Sequence, residues 1–301
     1  MKWRHHAPTL VLPTFNTPRL RSLTRYAGLC LGLAPLTLYL AALTLVPVVS
    51  TLLLSLQTPQ GDWGLDAYRA ITSHYQFGEA VANTLLVTAL GLSLELALGL
   101  AAALALAERR RAQGWVRVAL LVPLGVPTIV AASAMRYIFG TVGYLNEVLY
   151  RLGVIDLPID WTGSRWLAVV TVAVADAWKV TPLVMLILLA GLQAIPRQLY
   201  EAARTDGATS WQQFHRITLP LLRPAITMAL IVRGVDAFRI FALPLALTGR
   251  NLPVLSTYAY VEYLEYGNPH TAAASSTLLL LMILVSVAAY LKLAGREEVL
   301  R

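Results

Sequence analysis

The chain has 301 residues, of which 57% are hydrophobic and only 13% are charged. Soluble domains contain about 25% charged residues, so this composition excludes an ordinary soluble protein. The formal net charge of +8 does not indicate binding to nucleic acid, because the basic residues cluster in short segments between apolar runs, as in membrane proteins. The single cysteine, Cys30, lies in such a run and excludes an internal disulfide framework.

Several uncharged runs reach the ~20 residues that a helix needs to cross a bilayer, and they predict an all-α integral membrane protein with about six transmembrane helices. Residues 1–25 carry basic residues and no acid, which predicts a loose cytoplasmic tail; 26–79 would be the first transmembrane helix and its outer connection, and 295–301 a second tail. Pro123 and Pro127 are expected to bend the third span. The predicted spans cover residues 26–56, 80–107, 118–135, 167–192, 225–247 and 271–291.

The distribution of basic residues predicts the orientation of the chain. The N-terminal tail, the turn at 108–117, the polar loop at 193–224 and the C-terminal residues 292–301 together contain 16 Lys and Arg residues. The three connections on the other side contain only four, with eight acids. Cytoplasmic loops carry the excess of Lys and Arg, so we expect both termini and the polar loop to lie on the cytoplasmic side of a cell (inner) membrane.

The polar loop at 193–224, which we call the elbow, reads QAIPRQLYEAARTDGATSWQQFHRITLPLLRP. A short helix is predicted over about 197–205. Pro196 suits the first helical position, and Gly207 is a stop signal after the helix. Ser210 is predicted to open a second helix, with Gln213 at the third position of a capping box. The elbow is therefore predicted to be a helix–turn–helix that projects from the membrane and docks a partner.

The elbow also resembles the EAA loop in the permease subunits of binding-protein-dependent ATP-binding-cassette (ABC) importers. In that family the loop inserts into a cleft on the nucleotide-binding subunit. The resemblance therefore implies that the matching residues couple this chain to an ATPase subunit, with Gly207 forming the turn and Trp211 and Phe214 acting as anchors. The matching residues are Glu201, Ala202, Ala203, Asp206, Gly207, Ala208, Trp211, Phe214, Leu219 and Pro220.

The resemblance extends over nearly the whole membrane region and makes 80–294 the permease core. Residues 176–182, 190–196 and 233–249 are similar to spans of the larger permease in maltose-type and glycerol-phosphate-type, carbohydrate-uptake importers. Two triplets depart from the family pattern, at 135–137 and 249–251, so no particular sugar is indicated. The resemblance implies a sugar-like solute delivered by a solute-binding protein, a second homologous permease, and two ATPase subunits that bind ATP-Mg, with no cofactor in this chain.

Ionisable side chains at membrane depth cost at least about 2.5–3.5 kcal/mol each, so they are candidate functional residues. Asp176 and Lys179 share a helix face at a spacing that allows them to pair, and Arg233, Asp236 and Arg239 are predicted to form a ladder. Two roles are possible for these residues: structural ion pairs, or a polar pathway for a hydrophilic solute. For the ladder, the structural role is favoured. The full set is Glu95, Arg136, Asp176, Lys179, Arg233, Asp236 and Arg239.

Four further side chains are candidates for the translocation pathway, because sugars bind through aromatic platforms and hydrogen-bonding groups. They are Asn83, Tyr137, Trp178 and Tyr258, and ordinary packing is the alternative for each.

The sequence contains no Gly-x-x-x-x-Gly-Lys-Ser/Thr phosphate loop, so we expect a translocation subunit without its own ATPase site, and with no catalytic or metal-binding residues. The alternative function is an ion-coupled secondary transporter that uses Glu95 or Asp176. Such folds show broken helices repeated in two halves, a pattern that this sequence lacks.

Overall fold

A computed structural model describes residues 18–108 and 113–299, with side chains for 32–107 and 114–293. Within these residues the regular structure is helical, apart from one isolated bridge between Gln57 and Trp63. The helices of the described residues are α1 (Pro18–Ser55), α2 (Asp66–Ser73), α3 (Tyr75–Glu108), α4 (Gln113–Gly125), α5 (Thr128–Ile138), α6 (Tyr144–Arg151), α7 (Arg165–Ala194), α8 (Arg197–Thr205), α9 (Ser210–Gln213), a π-helical segment (Phe214–Thr218), α10 (Leu219–Phe238), α11 (Ala242–Thr248), α12 (Leu255–Leu264) and α13 (Pro269–Val299).

The described residues contain five helical stretches that are long and apolar enough to cross a bilayer, or six if the α4–α5 pair counts as one span. This confirms the predicted all-α membrane fold. The five stretches are Gly32–Ser55, Tyr75–Ala107, Arg165–Ala194, Ser210–Phe238 and Pro269–Leu293. The predicted tails partly coincide with helix, because α1 begins at Pro18 and α13 continues to Val299; the rest of both tails lies outside the described residues.

The predicted third span, 118–135, is not one bent helix. It consists of α4 and α5, whose axes differ by 95°. The break falls at Val126 and Pro127: a proline disfavours helical geometry in the residue before it and has no N–H to donate to the preceding turn. Pro127 itself has extended backbone angles (φ −55°, ψ 138°) and caps α5. The chain therefore turns sharply at this point.

The predicted fifth span, 225–247, is displaced in the structure. The helical stretch begins at Ser210, passes through the π-helical segment and α10, and ends at Phe238. Pro220 is the second residue of α10, directly after the π-helical segment. Arg239 caps the helix with non-helical angles (φ −91°, ψ 13°), and the next helix, α11, is separate.

The chain divides into two compact units, Met1–Ser50 and Thr51–Arg301. In the first unit, the described side chains of α1 are mostly apolar and exposed, as expected for a helix that crosses a bilayer. The second unit is built around α7, which packs along α3 and against α10. Val184, Met185, Leu188 and Leu222 are buried where these helices meet.

Glycine permits the close approach of α3 and α7. A Cβ atom at Gly99 would lie 2.8 Å from Val184 Cγ1 and 3.2 Å from the backbone nitrogen of Met185. Small residues at helix contacts are typical of membrane bundles, where packing and polar contacts hold helices together in place of the hydrophobic effect.

We expect Gly99→Ala to lower the free energy of unfolding by about 1–3 kcal/mol, because the added methyl group must push α7 away. Gly78→Ala is the matched control, since a methyl group added at Gly78, on the same helix, would have no atom within 4 Å. Unfolding of the detergent-solubilised protein measures both changes. Equal stability of the two variants would show that α3 and α7 do not depend on this contact.

Candidate coupling surface and membrane ion cluster

The first half of the elbow matches its predicted structure. The helix α8 spans Arg197–Thr205 as expected. Gly207 has a φ of +76°, a left-handed conformation that glycine adopts without steric cost. The turn is closed by backbone hydrogen bonds from Gly207 N to Arg204 O (3.0 Å) and from Ala208 N to Ala203 O (2.8 Å), which complete the end of the helix.

The predicted caps of the two elbow helices are each shifted by one residue. Pro196 is the N-cap of α8 instead of its first helical residue. The capping box of α9 is formed by Thr209 and Gln212: Thr209 Oγ1 accepts from Gln212 N (3.3 Å), and Gln212 Oε1 accepts from Thr209 N (2.8 Å). The predicted pair, Ser210 and Gln213, has the same spacing one residue later. Gln213 is instead buried and donates from Nε2 to Ala208 O at 2.9 Å.

An aromatic cluster marks the second half of the elbow. Trp211 is 71% exposed, and its ring stacks on Phe214 with centroids 6.1 Å apart. The His215 ring lies 4.0 Å from Trp211 and 5.1 Å from Phe214, so the cluster has three rings. His215 is not among the predicted site residues, although its position four residues after Trp211 places both on one helix face. Exposed rings in a polar segment are typical anchors for a partner protein.

None of the predicted coupling residues is buried. Half of them are exposed, and the other half, which includes Phe214, are half-buried. The exposed members are Glu201, Ala202, Asp206, Gly207 and Trp211. The half-buried members are Ala203, Ala208, Phe214, Leu219 and Pro220.

A buried ion cluster joins α3, α7 and α10 in the membrane region. The Arg233 side chain is only 2% exposed. Its Nε and Nη2 atoms donate to the two carboxylate oxygens of Glu95, each at 2.8 Å, in a bidentate pair. Nη2 also donates to Asp176 Oδ2 at 3.0 Å, and Nη1 donates to Asp236 Oδ2 at 2.6 Å. Glu95 is 1% exposed, whereas the Asp236 side chain is 69% exposed, so the cluster reaches from the core to the surface.

The cluster corrects two predicted pairings. Asp176 pairs with Arg233 and not with Lys179, because Arg233 reaches it from the neighbouring helix. The predicted ladder is right for Arg233 and Asp236, but Arg239 lies beyond the end of α10 and is exposed. Helical spacing identifies neighbours within one helix only. It could not reveal that Arg233 contacts Asp176, 57 positions away, and Glu95, 138 positions away.

The remaining pathway candidates have different surroundings. Asn83 is buried, accepts from Arg165 Nε at 2.7 Å and donates to Pro253 O at 2.8 Å, so it braces the bundle. Tyr258 is buried and packs edge-on against Phe77, with ring centroids 5.8 Å apart. These two contacts fit the packing alternative.

Three candidates lie nearer the surface. Tyr137 and Trp178 are exposed. Arg136 lines a cavity of about 360 Å³ together with Thr141, Thr162 and Asn251. These positions can contact a solute or a second protein chain, which the buried Asn83 and Tyr258 cannot do.

Comparison with known proteins matches residues 95–294, about two thirds of the chain, to the family described as the binding-protein-dependent transport system inner membrane component. The chain belongs to this family. The matched residues contain both the elbow and the ion cluster. The family match identifies the chain as a permease component of an importer.

Individual relatives cover most of the permease. It is 36% identical over 273 residues to the trehalose/maltose transport system permease protein MalF of Thermococcus litoralis, covering 87% of this chain and 92% of the relative. It is 35% identical over 274 residues to the trehalose transport system permease protein SugA of Mycobacterium tuberculosis, covering 87% of each chain. These relatives are sugar permeases of the same family.

A solved structure shows the same fold. A chain from a bacterial ABC transporter involved in the import of the acidic polysaccharide alginate matches with a TM-score of 0.81 and 24% identity, covering 92% of this permease and 99% of that chain. The likeness extends beyond the matched family residues to the N-terminal side of the bundle.

The ion-coupled alternative is not supported. It requires Glu95 or Asp176 as an ion site, and both carboxylates instead bind the guanidinium of Arg233. The family and the relatives are importer permeases.

We expect Arg233→Met to destabilise the permease by about 3–5 kcal/mol, because the buried Glu95 and Asp176 lose the cation that they share. Arg151→Met is the matched control. It breaks only an exposed pair with Glu147 on α6, and such pairs contribute at most about 1 kcal/mol. Unfolding in detergent measures both variants. An Arg233→Met permease as stable as the control would show that the cluster does not hold the three helices together.

Proposed function

We propose that the chain is the translocation subunit of an ATP-driven importer for a sugar or sugar-like solute. The elbow carries this proposal: it presents an exposed cluster of Trp211, Phe214 and His215 next to a glycine turn, on a segment that is otherwise polar. A permease that used only an ion gradient would have no need of a docking surface with aromatic anchors. The elbow binds a cytoplasmic ATPase subunit, which binds and hydrolyses ATP-Mg.

The solute class is a neutral disaccharide or short oligosaccharide. Two relatives that are at least 35% identical are named as trehalose/maltose and trehalose permeases, and each match covers 87% of this chain. The exposed rings of Tyr137 and Trp178 offer the apolar platforms that sugar rings stack on. The carboxylate of Asp236, fixed by Arg233 and exposed, can accept hydrogen bonds from sugar hydroxyl groups.

The assembly contains a second homologous permease, two ATPase subunits and a solute-binding protein on the outer side. A solved chain of the same fold comes from a bacterial alginate ABC transporter in complex with an alginate pentasaccharide-bound periplasmic protein, which supports the binding protein as a partner. Both termini and the elbow lie in the cytoplasm, on the side where Lys and Arg are in excess. Closure of the ATPase pair moves the elbow, and the bundle switches between outward-open and inward-open states as a rigid-body change.

The test is ATP hydrolysis and solute uptake by the complex reconstituted in vesicles, with trehalose, maltose and longer glucose oligomers presented on the binding protein. We expect one of these sugars to stimulate hydrolysis and to enter only when ATP is present. An ionophore that collapses ion gradients should leave uptake unchanged. Uptake that needs the gradient and not ATP would contradict the proposal.

We expect Trp211→Ala to abolish the stimulation of ATP hydrolysis by sugar, because it removes the most exposed ring of the docking cluster. Truncation of a central aromatic anchor costs ≥2 kcal/mol of binding, which weakens the contact about 30-fold or more. Trp166→Ala is the control: Trp166 is also exposed but lies in the first turn of α7, at the end of that helix far from the elbow. Stimulation that survives Trp211→Ala and fails in Trp166→Ala would place the coupling surface elsewhere.

A further inference from the structure

The two helices of the elbow are joined by polar side chains and not by an apolar core. No residue of α8 is buried. The Tyr200 hydroxyl on α8 lies 2.9 Å from Thr218 Oγ1, in the π-helical segment 18 residues later. Thr218 is 5% exposed and Gln213 is 9% exposed, so these groups lie inside the angle of the elbow. Gln213 donates to Ala208 O and ties α9 to the turn.

The π-helical segment places the Thr218 hydroxyl for this contact. The amide of Leu219 donates to Phe214 O, five residues back, which inserts an extra residue into the helical turn. Such insertions rotate the following side chains relative to the preceding ones and occur frequently at functional sites. Thr218 therefore lies within reach of Tyr200 while Trp211 stays exposed on the same helical stretch.

The same helical stretch continues into the membrane without a break. Ser210–Phe238 is one helical stretch that carries Trp211 near its start, in the elbow, and Arg233 near its end. At 1.5 Å per residue these two side chains are separated by roughly 33 Å along the helix. A movement of the elbow can therefore reach the ion cluster along this continuous helical rod, provided that α8 moves together with the rod.

We propose that Tyr200, Gln213 and Thr218 are positioning residues that make the elbow one rigid body, so that force on α8 moves the helical stretch Ser210–Phe238. This inference rests on the proposed function, since the force comes from the ATPase subunit. Because α8 buries no side chain, the turn at Gly207 alone would act as a hinge. The Tyr200–Thr218 hydrogen bond closes the open side of that hinge.

The test measures solute imported per ATP hydrolysed by complexes of equal subunit content. Tyr200→Phe and Thr218→Val each remove one hydroxyl group at nearly constant shape, and we expect each to lower this ratio about two- to tenfold, the range that a single hydrogen bond supports. The double variant should be no worse than Thr218→Val alone, because both changes break the Tyr200–Thr218 bond. Thr218→Ser keeps the hydroxyl and should keep the ratio.

The chain offers a matched control in Tyr290→Phe. Tyr290 on α13 donates its hydroxyl to Thr227 Oγ1 on α10 at 3.1 Å, so this variant removes the same kind of bond from the same rod, away from the elbow. We expect its import ratio to equal that of the unchanged chain.

A second measurement reports rigidity directly. With Cys30 replaced by serine, a spin label on Leu199→Cys, an exposed position of α8, should become more mobile when Tyr200→Phe is added. Unchanged label mobility together with an unchanged import ratio would overturn the brace while the proposed function stood. If uptake by the unchanged complex needed an ion gradient and not ATP, the proposed function itself would fail, so the two failures are distinguishable.

Discussion

The bidentate contact between Arg233 and Glu95 is the interaction on which the arrangement of the bundle depends. A guanidinium and a carboxylate, both nearly inaccessible, are stable at membrane depth only when their charges and hydrogen-bonding groups are satisfied. Arg233 meets this requirement with four hydrogen bonds to acids on three helices. Because each bond restricts direction as well as distance, α3, α7 and α10 have little freedom to rotate or slide past one another.

Apolar packing could not supply this constraint. In lipid, a leucine gains little by contacting another helix instead of an acyl chain, so close backbone approach and polar contacts set the helix arrangement. Both kinds of contact occur along α7. Gly99 lets α3 approach the backbone of Met185, and Asp176 accepts a hydrogen bond from Arg233 on α10. The cluster is therefore a structural feature first, and its exposed end at Asp236 is where it can meet a solute.

Local features of the elbow could be predicted from the sequence, and contacts between helices could not. Helix α8 and the glycine turn follow from short-range signals, namely the positions of Pro196 and Gly207, and both are present in the structure. The predicted capping box lies one residue too late, because two overlapping Ser/Thr-x-x-Gln patterns occur and Gln213 instead bonds to Ala208 O. The π-helical segment has no sequence signal of its own, and the partner of Asp176 lies on a helix that only the fold brings near.

The helical stretch Ser210–Phe238 is held by directional polar contacts near both of its ends. In the elbow they are the Tyr200–Thr218 and Gln213–Ala208 bonds, and in the membrane they are the bonds of Arg233. A hydrogen bond weakens steeply when its distance or angle departs from the preferred range, so these contacts define the position of the stretch closely. A rod held in this way has a small number of well-defined positions. That property suits the alternation between two states that we propose for this permease, because packed helices move between discrete arrangements and do not deform continuously.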